Sequence, residues 1–164
     1  MMAVSDDLSE SICLAAHDLA GWPGMNPISV LLVDDNLTFL RIVMRFLDAH
    51  DDVVVVGTVR NGDEVLGRVR DLKPDVILID IAMPDLPGGL EFISRLRAAL
   101  PGVGIIALTL MGTDGYRRAA LEAGVDDFVP KVAVGADLLP AIRRIGKVSQ
   151  PQRGVASVMA ARSL

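Results

Sequence analysis

Five short apolar runs, each cut off by polar residues and each followed by a stretch with helical spacing, leave this chain few ways to fold. The runs are Ile28 to Val33, Val53 to Val56, Val76 to Ile79, Val103 to Thr109 and Val125 to Val129. Their length and β-branched content are those of strands, and the first is dense enough to be buried on both faces. After the first run, Leu37, Leu40, Met44 and Leu47 share one helical face, with Asn36 suited to cap it. Asn61 precedes a second such face of Val65, Leu66, Val69 and Leu72. Pro84, Pro87, Gly88 and Gly89 mark a loop, and Leu90, Ile93, Leu96 and Leu100 a third helix. A weaker helix is expected around Tyr116 to Ala123. Leu138, Leu139, Ile142 and Ile145 trace a fifth, with Asp137 expected as its cap and Pro140 in its first turn.

Strands that alternate with helices pair in parallel, because parallel neighbours need a crossover. Right-handed crossovers then place helices on both faces of one doubly wound α/β sheet. In such sheets ligands bind beyond the carboxyl ends of the strands, near the point where strand order reverses. Composition agrees with one domain: 164 residues, 51% of them hydrophobic, suffice for a core and exclude a disordered chain. A single cysteine, Cys13, closes no internal disulfide, and a net charge of −5 argues against broad attraction to nucleic acid. No apolar run approaches the ~20 residues that span a bilayer. The first residues carry Asp6 and Asp7 where a signal peptide carries bases. A soluble, cytoplasmic chain is the expectation.

The polar residues collect where the sheet rule requires. Asp34 and Asp35 end the first run, Asp80 the third and Thr109 the fourth, and Lys131 follows the fifth. Three carboxylates at one sheet edge repel one another and raise one another's pKa unless a cation intervenes. Mg²⁺ suits such a set, since it takes one or two carboxylates and keeps several waters. The three acids exceed Lys131 by two negative charges, which one divalent ion cancels, leaving a neutral site for a phosphoryl group. In that reading Asp80 is the nucleophile, Lys131 a point charge on a phosphoryl oxygen and Thr109 a hydroxyl donor to another.

These residues resemble the receiver domain of two-component response regulators. Val30-Leu31-Leu32-Val33-Asp34-Asp35-Asn36 matches the family's opening motif, and Asp80 to Gly89 is similar to its phosphoacceptor loop. The resemblance implies a flavodoxin-like fold with strand order 2-1-3-4-5. It also implies that Mg²⁺ is held by Asp34, Asp35, Asp80 and the backbone carbonyl of Ala82. Asp80 then accepts phosphate from a histidine kinase or phosphotransfer protein, in a signalling switch rather than an enzyme. Thr109 and Phe128 fall where the family carries its switch pair. Phosphorylation is expected to alter the surface of the fourth helix, fifth strand and fifth helix, which meets a downstream protein or a second copy of the chain.

The sequence departs from the family in three places. Val132 follows Lys131 where most members have proline in a cis peptide, so a trans bond and a differently aimed lysine are expected. Leu110, after Thr109, is bulky where the family is small. Ala82 and Met111 hold the variable positions that tune hydrolysis, and neither side chain positions an attacking water, which implies slow loss of the phosphoryl group.

The domain expected from the pattern runs over 28–146, with an extension over 1–27 and a linker-like tail over 147–164. Met25 reads as a natural start. Cys13 and His17, four apart, read as unrelated tail residues rather than a metal site, and His50 as a surface residue. The tail is similar to the segment that leads to a helix-turn-helix unit in one regulator subfamily. Residues up to Leu164 are too few for such a unit, so direct DNA binding is not expected. Two alternatives keep the fold: a pseudo-receiver that binds partners without phosphorylation, and the receiver part of a DNA-binding regulator. A small aspartyl phosphatase ranks below both, because Ala82 and Asn36 stand where a second acid is needed.

Overall fold

A computed structural model describes residues 26–86, 88–110 and 113–149. The expectations for the segment through Met25 with Cys13 and His17, for Pro87, for Met111 and for the tail beyond Ser149 lie outside these residues. The elements run β1 (Ile28–Val33), α1 (Leu37–Asp48), β2 (Val53–Val59), a 3-10 turn (Gly62–Glu64) leading into α2 (Val65–Leu72), β3 (Val76–Asp80), α3 (Leu90–Ala99), β4 (Gly104–Thr109), α4 (Asp114–Ala123), β5 (Asp127–Pro130) and α5 (Leu139–Ser149). All strand pairs are parallel, in the order β2-β1-β3-β4-β5. The expected sheet and strand order are therefore present.

Strand periodicity of two divides the core between the faces of the sheet. Val30 and Leu32 of β1, Leu78 of β3, and Ile106 and Leu108 of β4 pack with Leu40, Val43 and Leu47 of α1 and Leu138 and Ile142 near α5. Their strand neighbours Leu31, Val33, Ile77, Ile79, Ile105 and Ala107 pack with α2, α3 and α4 through Val65, Val69, Phe92, Ile93, Leu96 and Ala120. The inner strands β3 and β4 are buried at every position, whereas β2, at the edge, alternates. Its register slips by one residue between Val30 and Leu31 of β1. The slip moves β2 from supplying Val53 and Val55 to one core to supplying Val59 to the other.

Asn36 caps α1 as expected, accepting the Phe39 N–H at 3.1 Å, and Asn61 accepts the Asp63 N–H at 3.1 Å. The second cap opens a 3-10 turn, so α2 proper begins later, at Val65. Asp137 does not cap the fifth helix. After a 3-10 turn over Lys131–Ala133 the chain winds a wide π turn over Val134–Leu138, which passes into α5. Pro140 lacks an N–H and its ring crowds the preceding turn, which a widened turn accommodates better than a regular one. Helix α5 runs on to Ser149, past residue 146 where the sequence pattern places the domain's end. Val125 joins the close of α4 rather than β5, its N–H bonding to the Ala120 carbonyl beyond Gly124, whose φ is +114°. His50 is half-buried after α1, its Nδ1 3.0 Å from the Phe46 carbonyl oxygen.

Candidate functional site

Strand β1 delivers Asp34, β3 ends in Asp80, β4 ends in Thr109, and Lys131 follows β5. These elements are adjacent in the sheet, and the order reverses between β1 and β3, so the polar residues meet at the switch point of the fold. One carboxylate oxygen from each of Asp34, Asp35 and Asp80 lies within 4.8 Å of the others. Asp34 and Asp80 are buried and Asp35 is exposed, so the cluster opens to solvent on one side.

Two short turns orient the carboxylates. The Asn36 N–H donates to Asp34 Oδ1 at 2.8 Å, and the Ala82 N–H donates to Asp80 Oδ1 at 2.8 Å. Lys131 enters between them, with Nζ 2.5 Å from Asp34 Oδ2 and 2.7 Å from Asp80 Oδ2. The contact with Asp80 is a hydrogen bond. That with Asp34 is an ion pair in which the buried Asp34 Oδ2 meets the ammonium without a well-aligned hydrogen bond. Burial accordingly holds the Asp34 carboxyl above the ordinary carboxylate range, despite the opposing pull of Lys131 and the Asn36 N–H. Burial alone would lower the Lys131 ammonium, but the facing carboxylates outweigh it and hold the group above the usual lysine value.

Every expected acid, the lysine and the threonine thus reach the same strand edge. Thr109 is buried at the end of β4, in register with Pro130. Phe128 is buried in β5 beside Ala107, within the core shared with α2, α3 and α4. The peptide after Lys131 is trans, since the described residues contain no cis bond, and Nζ still reaches both buried carboxylates. Leu110 and Val132 project into solvent, 71% and 86% exposed, so neither lies folded over the acids. Ala82 is exposed, and its N–H is committed to Asp80.

Two aromatic residues near the site were not visible from spacing. Phe39 places its ring centroid 4.5 Å from Lys131 Nζ. Tyr116, in the first turn of α4, has its phenol pushed up by burial and, to a smaller degree, by the charge of Asp80. Both look like ordinary helix-face residues in the sequence, and only the packing of α1 and α4 against the strand ends brings them here.

The donor set fits a hard divalent cation. It consists of carboxylate oxygens, one side is open to water, negative charge exceeds positive, and a buried oxygen lacks a well-aligned hydrogen bond.

Residues 30–143 match the family model of the response regulator receiver domain. A protein-glutamate methylesterase/protein-glutamine glutaminase of Bacillus licheniformis is 41% identical over 106 residues, covering 63% of this chain and 29% of that protein. The response regulator protein VraR of Staphylococcus saprophyticus is 33% identical over 118 residues, covering 72% and 56% respectively. The chain therefore spans between about a third and just over half the length of these relatives. Among solved structures, the response regulator domain of Thermotoga maritima CheB superposes with a TM-score of 0.66 at 32% identity, over 77% of this chain and 100% of that one. The isolated REC domain of RcsB from Salmonella enterica serovar Typhimurium, in the presence of phosphomimetic BeF3−, gives 0.68 at 26% identity, over 74% and 90%.

Proposed function

The chain belongs to the response regulator receiver domain family, and on that premise we propose that Asp80 is its phosphoacceptor. The observation that carries the reading is the arrangement of Asp34, Asp35 and Asp80 around Lys131 at the strand edge where the fold reverses. The donor is a phosphohistidine on a histidine kinase or phosphotransfer protein. An Asp80 carboxylate oxygen bonds to phosphorus while the donor's P–N bond breaks, and the electron pair leaves with the imidazole, which takes up a proton. Asp34, Asp35, Asp80 and the Ala82 carbonyl are the residues that would hold Mg²⁺. When bound, the ion would supply positive charge that offsets the negative charge of the phosphoryl group.

The remaining steps belong to the chain's own side chains. Lys131 is already hydrogen-bonded to Asp80 and stays with the developing phosphoryl charge as a second cation. The Thr109 hydroxyl donates to a phosphoryl oxygen as its strand end draws inward, and Phe128 turns into the space this leaves. The exchange shifts the population of one surface state over another at α4, β5 and α5. That face is the docking site for a downstream protein or a second copy of the chain. The exposed Ala82 side chain offers no polar atom to an attacking water, in keeping with a long-lived phosphoryl group.

The reading is of a cytoplasmic signalling switch. No helix among the described residues is long and apolar enough to cross a membrane. The methylesterase shares similarity over only 29% of its length, and esterase chemistry forms no part of this reading.

Intact-mass spectrometry after incubation with Mg²⁺ and acetyl phosphate tests the proposal. One phosphoryl adduct is expected on the native chain and none on Asp80→Asn. An adduct that persists in Asp80→Asn places the acceptor elsewhere. If the native chain takes no adduct from acetyl phosphate, from a kinase, or as beryllofluoride, it is a pseudo-receiver.

A further inference from the structure

The lysine of this site is followed by Val132, which is 86% exposed and gives it no cover. Yet the Lys131 side chain is only 7% exposed and its Nζ is placed within 2.7 Å of two separate carboxylates. The two carboxylates attract the ammonium, and the flexible four-carbon stem leaves its remaining surface open to other contacts. One such contact is the ring of Phe39, whose centroid lies 4.5 Å from Nζ.

The placement of Phe39 follows from the sequence. Asn36 caps α1 by accepting the Phe39 N–H, which fixes this residue as the third of the helix and sets its ring near the ends of β1 and β5. The half-buried ring packs on the core shared by α1 and α5, so it is anchored from behind. A ring face carries negative quadrupole charge and attracts a cation most strongly where water is excluded. Phe39 therefore does what a carboxylate here would do at greater cost: it holds the ammonium without adding a fourth negative charge to an already acidic site.

We infer that Phe39 is a positioning residue for Lys131, with its ring face pre-setting the ammonium between Asp34 and Asp80. The inference rests on the phosphoacceptor reading, in which Lys131 must meet a phosphoryl oxygen. Without the ring the two carboxylates alone hold the lysine, which is then less restricted, and binding a phosphoryl group costs more ordering entropy. Phe39→Leu keeps an apolar cover and removes the quadrupole, whereas Phe39→Tyr keeps both.

Two measurements on the full chain test this. First, the Lys131 ε-methylene resonances, identified by their loss in Lys131→Arg, are expected upfield in the native protein and in Phe39→Tyr, and near ordinary lysine positions in Phe39→Leu. Second, calorimetric titration of beryllofluoride at saturating Mg²⁺ is expected to show about fivefold weaker affinity in Phe39→Leu, the scale of a partly desolvated cation–π contact, and native affinity in Phe39→Tyr. Circular dichroism of each variant verifies that the fold is intact. Equal affinity in the native protein and Phe39→Leu overturns this inference alone. So does a loss that Phe39→Tyr fails to restore, because general packing would then be the cause. A native chain that takes up no beryllofluoride overturns the phosphoacceptor reading and this inference with it, whatever the resonances show.

Discussion

Asp34 is the residue at which folding and the proposed function pull apart. It is 1% exposed, its Oδ2 meets Lys131 without a well-aligned hydrogen bond, and burial raises its pKa. A raised carboxyl pKa means the folded state binds the proton more readily than the unfolded chain. Its favourable contribution is complete below the unfolded value of about 3.9 and is lost as pH rises through the folded pKa. At neutral pH, then, the charged Asp34 opposes folding even with the Lys131 ammonium beside it, and a divalent cation would offset that cost. Asp34→Asn is expected to raise the urea unfolding free energy of the metal-free protein by about 1–3 kcal/mol at pH 7, with the gain shrinking towards acid pH. Mg²⁺ should stabilise the native chain and leave Asp34→Asn nearly unmoved. A variant that is less stable without Mg²⁺, or that responds to the ion as the native chain does, would refute this account. The acid itself was legible in the sequence because charge at a strand end is conspicuous. Phe39 was not, since an aromatic two turns of logic away from Lys131 looks like any amphipathic helix residue until α1 is docked.

Among the elements, the contact between the turn before α2 and the loop after β3 most directly supports the site. Gly62 is buried, and a Cβ there would lie 2.4 Å from the Asp85 carbonyl oxygen, a backbone atom that cannot swing aside. That loop carries Ala82, whose N–H orients Asp80. Gly62→Ala is expected to destabilise the protein by about 1–3 kcal/mol and to displace the loop. Gly67, inside α2 with nothing within 4 Å of its would-be Cβ, provides the opposite case. There alanine should stabilise by about 0.5–1 kcal/mol through helix propensity. Urea denaturation of the two variants beside the native chain separates the cases, and a shift of the same sign in both would rule out the steric explanation. Gly62 shows what periodicity leaves unread. The strands were legible because apolar runs and the polar residues that stop them are local, and the sheet order came with the family's motifs. The π turn over Val134–Leu138, the slip in β2 and the Gly62 contact depend on which elements touch, and no local pattern records that.

Across the whole molecule, stability is spread unevenly in a way that suits a switch. Helix α1 sinks Leu40, Val43 and Leu47 into its core, and α3 sinks Phe92, Ile93 and Leu96, whereas α4 fully buries only Ala120. Apolar burial is what anchors a helix to a sheet, at about 25 cal/mol for each Å² removed from water, so α4 is the most weakly docked of these three. Its end is held instead by polar clamps: Arg97 of α3 donates to the Gly124 carbonyl at 2.9–3.0 Å and pairs with Asp126 at 2.5 Å. Weakly anchored elements open at low free energy and are the ones a ligand can repopulate. Amide hydrogen exchange followed by mass spectrometry should therefore show α4 exchanging faster than α1 and α3 in the native protein. Beryllofluoride with Mg²⁺ should alter protection in α4 and β5 while leaving α1 within error. If α4 exchanges as slowly as α1, the free-energy gap that makes it the movable element is absent. The proposed coupling from Asp80 to the α4, β5 and α5 face would then have to run through β5 alone.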